Sequence, residues 1–370
     1  MSATDLTSLT QQVLWAAFLV ASGFGALVQR TGFCTMGAVS DVASMGDWTR
    51  MRQWGLAAGV AMLGFGLLAW TGAIQPETAL YASSRLIWLS ALSGGFVFGF
   101  GMVLASGCVS KNLVRIGGGN LKSLVVAGVL GVAAFATLKG LTAVWRSATV
   151  DRAAIDFSGN ASLPAWAASA FGLDPVATGL ALALLLGGAL VAWALRGRDF
   201  LQSRNLLAGL GIGGLVTAMW WVSGHLGHLA EHPQTLEDVF LATNSGRAEA
   251  LSFVSPVAYT LDWLMFYSDR SKLLTIGIVS VFGVVAGSAL VALAQRSFRW
   301  EGFANTEDLA NHLAGAVLMG VGGVTAMGCS IGQGVSGVST LSLTSFIAVA
   351  AMIAGAVAAL RYQMWRLERA

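Results

Sequence analysis

Residues Gly99–Arg115 read GFGMVLASGCVSKNLVR, and Gly320–Val338 read GVGGVTAMGCSIGQGVSGV. Each is a glycine-rich apolar run that ends in Gly-Cys, Gly107-Cys108 and Gly328-Cys329, followed by a short polar segment broken by glycine. Those segments are too short to cross a bilayer, yet they adjoin runs that could. Irregular backbone survives at membrane depth only where it is buried in protein or lines a polar cavity. The two stretches therefore predict an all-α polytopic membrane protein with re-entrant half-helices among its full spans.

Outward from this pair, apolar runs long enough to span recur along the chain. The expected spans are Val13–Val28, Trp54–Ile74, Leu86–Ala105, Ser123–Val144, Val176–Leu195, Leu206–Val222, Leu273–Leu293, Leu309–Met327 and Leu343–Leu360. That is about nine transmembrane helices. Cys108 then follows the third span and Cys329 the eighth. An odd offset of five makes the two copies antiparallel, which is an inverted repeat with halves of about 12–145 and 206–360. The whole chain reads as one integral membrane transport domain.

Composition agrees. Of 370 residues 56% are hydrophobic and 11% charged, where a soluble domain carries roughly 25% charged. The 47 glycines suit close helix approach in lipid, and five prolines exclude a linker-rich chain. No basic stripe interleaves with aromatics, so no nucleic-acid partner is expected. The N-terminal MSATDLTSLTQQ lacks Lys and Arg and does not read as a removed signal peptide. Under the positive-inside rule, Arg361, Arg366 and Arg369 put the C-terminus in the cytoplasm and the N-terminus outside. Arg50, Arg52, Lys111, Arg115, Lys122, Arg196, Arg198, Arg204, Arg296 and Arg299 fall on the same inner side.

A third irregular stretch, Gly32–Asp41 (GFCTMGAVSD), holds Cys34, so each of the chain's three cysteines lies in one such stretch. They are either small buried hydrophobes or donors along a path. A thiol in apolar surroundings stays neutral and is a weak S–H donor. Half-helix N-termini would present N–H groups and positive dipole ends to an anion, with Ser40, Ser110, Ser330, Gln333 and Ser336 as neutral donors beside them. Arg30 and Lys111, with Arg115, either attract an anion at the inner mouth or simply set topology. Lys139, inside the fourth span and four or five residues from its outer end, is expected to snorkel. His225, His228 and His232 share a helical face, but no metal site or cofactor is expected. Trp220, Trp221, Trp263 and Trp300 read as interfacial belt residues.

At these stretches the chain resembles a known family. GFGALVQRTGFCTMGAVSD, FGFGMVLASGCVSKNLVRIGGGN and MGVGGVTAMGCSIGQGVSGVS are similar to the signature regions of the YeeE/YedE, or sulfur-transport domain, family. The resemblance implies an importer of thiosulfate across the bacterial inner membrane, built of transmembrane helices and half-helices in two pseudo-symmetric halves. It implies that Cys34, Cys108 and Cys329 relay the ion by S–H hydrogen bonds, and that a TusA-like cytoplasmic sulfur carrier can receive it. Other readings stay open: a transporter of another sulfur or selenium oxyanion, a membrane thiol-redox or sulfur-transfer enzyme, or a structural subunit. The enzyme would need a close dithiol or an activated thiolate, and these cysteines are far apart in sequence. No ATP-binding P-loop is visible.

Overall fold

The computed structural model describes residues 3–157, 159–197, 200–233 and 236–369; Arg198 lies outside them. Helices dominate: α1 (Ala3–Thr31), α2 (Thr35–Met45), α3 (Thr49–Trp70), α4 (Trp88–Leu104), α5 (Val109–Gly117), α6 (Leu121–Lys139), α7 (Leu141–Ala148) and α8 (Leu163–Phe171). Then come α9 (Pro175–Leu182) and α10 (Gly188–Leu195), joined by a π-turn over Ala183–Gly187, and α11 (Ser203–Trp221). The chain closes with α12 (Val254–Met265), α13 (Ile276–Ala294), α14 (Thr306–Thr325), a short helix over 330–339 and α15 (Leu343–Leu367). Among the described residues, eight helices are long and apolar enough to cross a membrane. The ninth expected span, Leu309–Met327, is also helical, but α14 opens with Glu307 and Asp308 in its first turn and carries buried His312. Those polar groups lower its hydropathy.

Small residues set how closely the helices approach. A methyl added to Gly99 of α4 would collide with the carbonyl of Met352 in α15, and one on Gly355 with the carbonyl of Phe96. No hydrophobic effect drives helices together in lipid, so such close backbone contact supplies the attraction instead. Leu19, Leu67, Val132 and Leu290 stand exposed on the outer surfaces of α1, α3, α6 and α13, as a lipid-facing surface requires.

The helix pairings are matched in kind. α1 packs along α13 and α11 along α3; α4 packs along α15 and α14 along α6. α4 and α14 run antiparallel against each other, Gly94 meeting Gly322 and Ala326 while Gly101 meets Gly315. Two short antiparallel ribbons, Arg85–Leu86 with Ile155–Asp156 and His228–Leu229 with Val239–Phe240, lie on one face of the bundle.

Three expectations change here. The span Ser123–Val144 stops at Lys139, where Gly140 adopts an extended conformation and α7 begins afresh. Lys139 is thus the last residue of α6, with its ammonium 6.0 Å from the Tyr259 ring centroid. Trp220 is no belt residue: it is fully buried, its Nε1 donates to Ser339 Oγ at 3.0 Å, and its ring packs edge-on against Phe65.

Candidate functional site

The three cysteines occupy one local design. Two residues before each, the chain turns left-handed: Gly32 at φ 74°, Ser106 at φ 54° and Met327 at φ 59°. Glycine adopts that conformation freely; Ser106 and Met327 do so at a cost of about 1–2 kcal/mol. Side chains hold the turns in place. Arg115 Nη1 donates to the Ser106 carbonyl at 2.8 Å, and Gln333 Nε2 donates to the Ala326 carbonyl at 2.6 Å. Asn112 Nδ2 donates to the carbonyls of Gly107 and Cys108 at 3.0 and 3.1 Å.

Each cysteine then starts a short helix. The carbonyls of Cys34, Cys108 and Cys329 accept from the amides of Ala38, Asn112 and Gln333 at 2.9, 3.0 and 2.7 Å. The sulfurs sit over the exposed N–H ends. Gly37 N donates to Cys34 Sγ and Gly332 N to Cys329 Sγ, both at 3.4 Å, while Cys108 Sγ lies 3.3 Å from Ser110 Oγ. Each thiol therefore stands at the N–H end of a short helix, where the positive dipole end lies. Gly107 and Gly328 let the next turn close over the break: a methyl there would press on the side chains of Lys111 and Gln333.

The short helices enter from opposite faces. α5 runs from Cys108 to Gly118–Asn120, which bond Arg299 and Glu301. The helix over 330–339 runs from Cys329 to Leu341 and Leu343, which bond Leu163 and Ala161 on the other face. Their N-termini meet in the interior. Cys34 and Cys108 face each other, Cys108 also lies beside Ser330, and Cys329 stands within electrostatic reach of Cys108. Lys111, with Arg50 and Arg115 nearby, adjoins Cys34 and Cys108 at one end; Tyr81 adjoins Cys329 at the other. Cys108 and Cys329 are buried and Cys34 half-buried. Arg30 stands apart, exposed in the last turn of α1, and Ser336 Oγ donates to the Leu251 carbonyl at 2.7 Å.

The match to a known family is decisive at this point. The family model described as sulphur transport matches residues 30–358. The chain belongs to the sulphur-transport family. It is similar to a protein named thiosulfate transporter TsuA from Spirochaeta thermophila, 28% identical over 354 residues, which are 93% of this chain and 97% of that one. It is also similar to the Escherichia coli protein of the same name, 26% identical over 342 residues, 90% of this chain and 89% of that one. Membership places the chain among multi-pass membrane transporters rather than enzymes.

In this sulphur-transport protein two of the three breaks border polar pockets, its two mouths. On the Arg299 face a polar pocket is lined by Ser106, Arg115, Lys122, Arg299, Asp308 and His312. On the ribbon face a second pocket is lined by Met327, Arg146, Glu249, Ser252 and Tyr259. Ser106 and Met327, the two left-handed residues, thus stand one in each mouth. Among the described residues no His, Cys, Asp or Glu cluster could hold a metal; His228 bonds Asp238 and stacks on Phe240. Asn112 is a site residue that composition and motif do not single out, although it follows Cys108 by the four residues that separate Gln333 from Cys329. Tyr81 gave no signal at all, because only the fold brings it to Cys329.

Proposed function

We propose that this chain imports thiosulfate across the bacterial inner membrane, passing the anion from Cys329 to Cys108 to Cys34. The observation that carries this reading is the row of three cysteines, each at the N-terminus of a short helix, with those helices entering from both faces. Neutral thiols and helix N-termini attract an anion without trapping it, whereas a fixed cation at every step would hold a dianion too long. Gly107, Gly328, Ser110, Ser330 and Gln333 shape the row, and Lys111 draws the ion toward its inner end.

The halves 12–145 and 206–360 are read as inverted repeats. The matched helix pairings and the paired left-handed turns at Ser106 and Met327 support this. Arg50, Arg115, Lys122, Arg204, Arg299 and Arg366 gather on the face where α1 ends and α15 ends, so that face is assigned to the cytoplasm. The N-terminus is then outside. The same basic face suits a TusA-like carrier that takes the ion. Membrane potential opposes entry by about 2.3 kcal/mol per charge per 100 mV, so a cytoplasmic sink or a co-ion drives uptake.

The test is uptake of radiolabelled thiosulfate into proteoliposomes holding only this protein, with sulfate and selenite as competitors. Saturable uptake displaced by thiosulfate alone is expected; displacement by selenite would move the substrate to selenium oxyanions. Unchanged uptake in both Cys108→Ala and Cys329→Ala discards the relay. A thiol oxidant should also stop uptake by joining Cys34 to Cys108, a reductant should restore it, and Cys34→Ser should escape the block.

A further inference from the structure

The pocket on the ribbon face has a volume of about 260 Å³, where a single water needs only about 10–15 Å³. Its inner end reaches the Cys329 break. Met327 lines it, and so does Ser252, whose Oγ a methyl added to Gly332 would strike. Gly332 in turn donates its amide to Cys329 Sγ. Asn244, Ser255 and Tyr259 offer neutral donors along the wall. The space therefore suits a small oxyanion that keeps part of its water.

Charge decides when such an ion can enter. Among the described residues lining this pocket, Arg146 is the one cation and Glu249 the one acid. The Glu249 backbone is fixed there, its amide donating to Ser223 Oγ at 3.0 Å. Arg146 Nε lies 3.4 Å from Asp151 Oδ2, so its charge is already matched. The neighbouring charged and titratable groups have partners elsewhere. Arg247 donates to the Ala82 carbonyl at 2.8 Å, and His225 bonds the Ala73 carbonyl. Lys139 stands over the Tyr259 ring, and Lys272 pairs with Asp262 at 2.6 Å. Tyr81 and Tyr259 face Glu249 as neutral phenols.

With Glu249 ionised, Arg146, Asp151 and Glu249 leave one negative charge in excess at the entrance for a dianion. With Glu249 protonated, the three balance. A partly buried mouth screens such repulsion poorly. Burial also favours the neutral acid, pushing the carboxyl above its ordinary range against the Ser245 and Asn244 donors.

We propose that this pocket is the outer capture site for the sulfur oxyanion and that Glu249 gates it, admitting the ion only when its carboxyl is protonated. The gate rests on the transport reading above and adds its regulation: capture of one anion is linked to uptake of one proton by the Glu249 carboxylate.

The experiment is calorimetric titration of thiosulfate into the detergent-solubilised full chain near pH 7, in two buffers of different ionisation enthalpy, which counts the protons taken up. Thiosulfate itself does not titrate in this range. The wild type should take up protons on binding and Glu249→Gln none, while Glu249→Asp should recover the uptake. In proteoliposomes the half-saturating concentration should climb with external pH, by up to about tenfold per unit, as the competent fraction falls. Glu249→Gln should hold it level. Proton-free binding in the wild type, or proton uptake retained by Glu249→Gln, overturns the gate. Saturable uptake indifferent to external pH also overturns it and leaves transport standing. Proton-linked binding without any uptake upholds the gate and rejects transport.

Discussion

Two breaks in the chain, at Gly107-Cys108 and at Gly328-Cys329, share a backbone and differ in charge. Both have a helix end, a left-handed residue two before the cysteine, and an amide side chain four after it that donates back to the turn. Past the cysteine they part. α5 carries Lys111 and Arg115, whereas the matching positions of the other short helix are Gly332 and Ser336. The mouths follow suit. Beside Ser106 stand Arg115, Lys122 and Arg299, and the acids there, Glu301 and Asp308, both pair with Lys122. Beside Met327 the charged lining is Arg146, itself paired with Asp151, and Glu249. One backbone device thus serves twice in different electrical settings, one mouth with an excess of cations and the other with a single cation and a single acid.

The largest expected effect tests whether the breaks are equivalent steps. Cys108→Ala and Cys329→Ala should each lower thiosulfate uptake by at least about tenfold, the scale of one lost hydrogen bond to a charged group. Serine at either site should restore part of the rate, since a hydroxyl is also a neutral donor. Equal losses keep the breaks in series; a loss confined to Cys108 would leave Cys329 a structural cap.

Next comes stability. Asn112 makes two hydrogen bonds to its turn and Gln333 one. Asn112→Leu should therefore cost more, about 2 kcal/mol against about 1 kcal/mol for Gln333→Leu, read as the larger fall in melting temperature. The reverse order would mean that the Met327 turn depends more on its amide than the Ser106 turn, which Arg115 also braces.

The charge difference itself has a smaller signature. Lys111→Met should raise the half-saturating concentration roughly threefold at low salt and little at high salt, because ions screen an attraction of this range. A wild-type salt response in the variant would remove Lys111 from the inner mouth's pull.

Much of this comparison was legible in the sequence. Glycine-broken stretches too short to span, each with a cysteine, marked the three short helices, because polar irregular backbone in an apolar chain has few physical explanations. The amide pair was legible too, in the shared spacing of Asn112 and Gln333, but it shows its meaning only once the left-handed turns are seen. Trp220 was not legible. A tryptophan in an apolar run reads as belt or core, and whether its N–H meets a partner such as Ser339 is decided by helices remote in sequence. The loop 227–253 was opaque for the same reason: its polar residues look like surface, yet it returns to place Ser252 and Glu249 beside the Met327 break.

Glu249 gives the smallest and most local test of the difference between the mouths. It lies in that loop, half-buried, and its carboxylate accepts from the Ser245 amide at 3.0 Å and from the Ser245 hydroxyl. Burial is the dominant influence and pushes its carboxyl above the ordinary range, against the pull of the Ser245 and Asn244 donors. Tyr81 and Tyr259 face it, and Arg146, which lines the same pocket, is itself paired with Asp151. With a raised native pKa, the folded protein binds this proton more tightly than the unfolded chain does. Its contribution to stability is then full below the ordinary carboxylate value of about 4.3 and falls as pH rises through the native value. Glu249→Gln, which keeps the neutral shape, should lack that fall. Melting curves between pH 4 and pH 8 should show the wild type losing about one or two degrees more than the variant. Parallel curves would mean that the carboxylate is solvated as fully as the acids of the opposite mouth, and that the two mouths differ in cations alone.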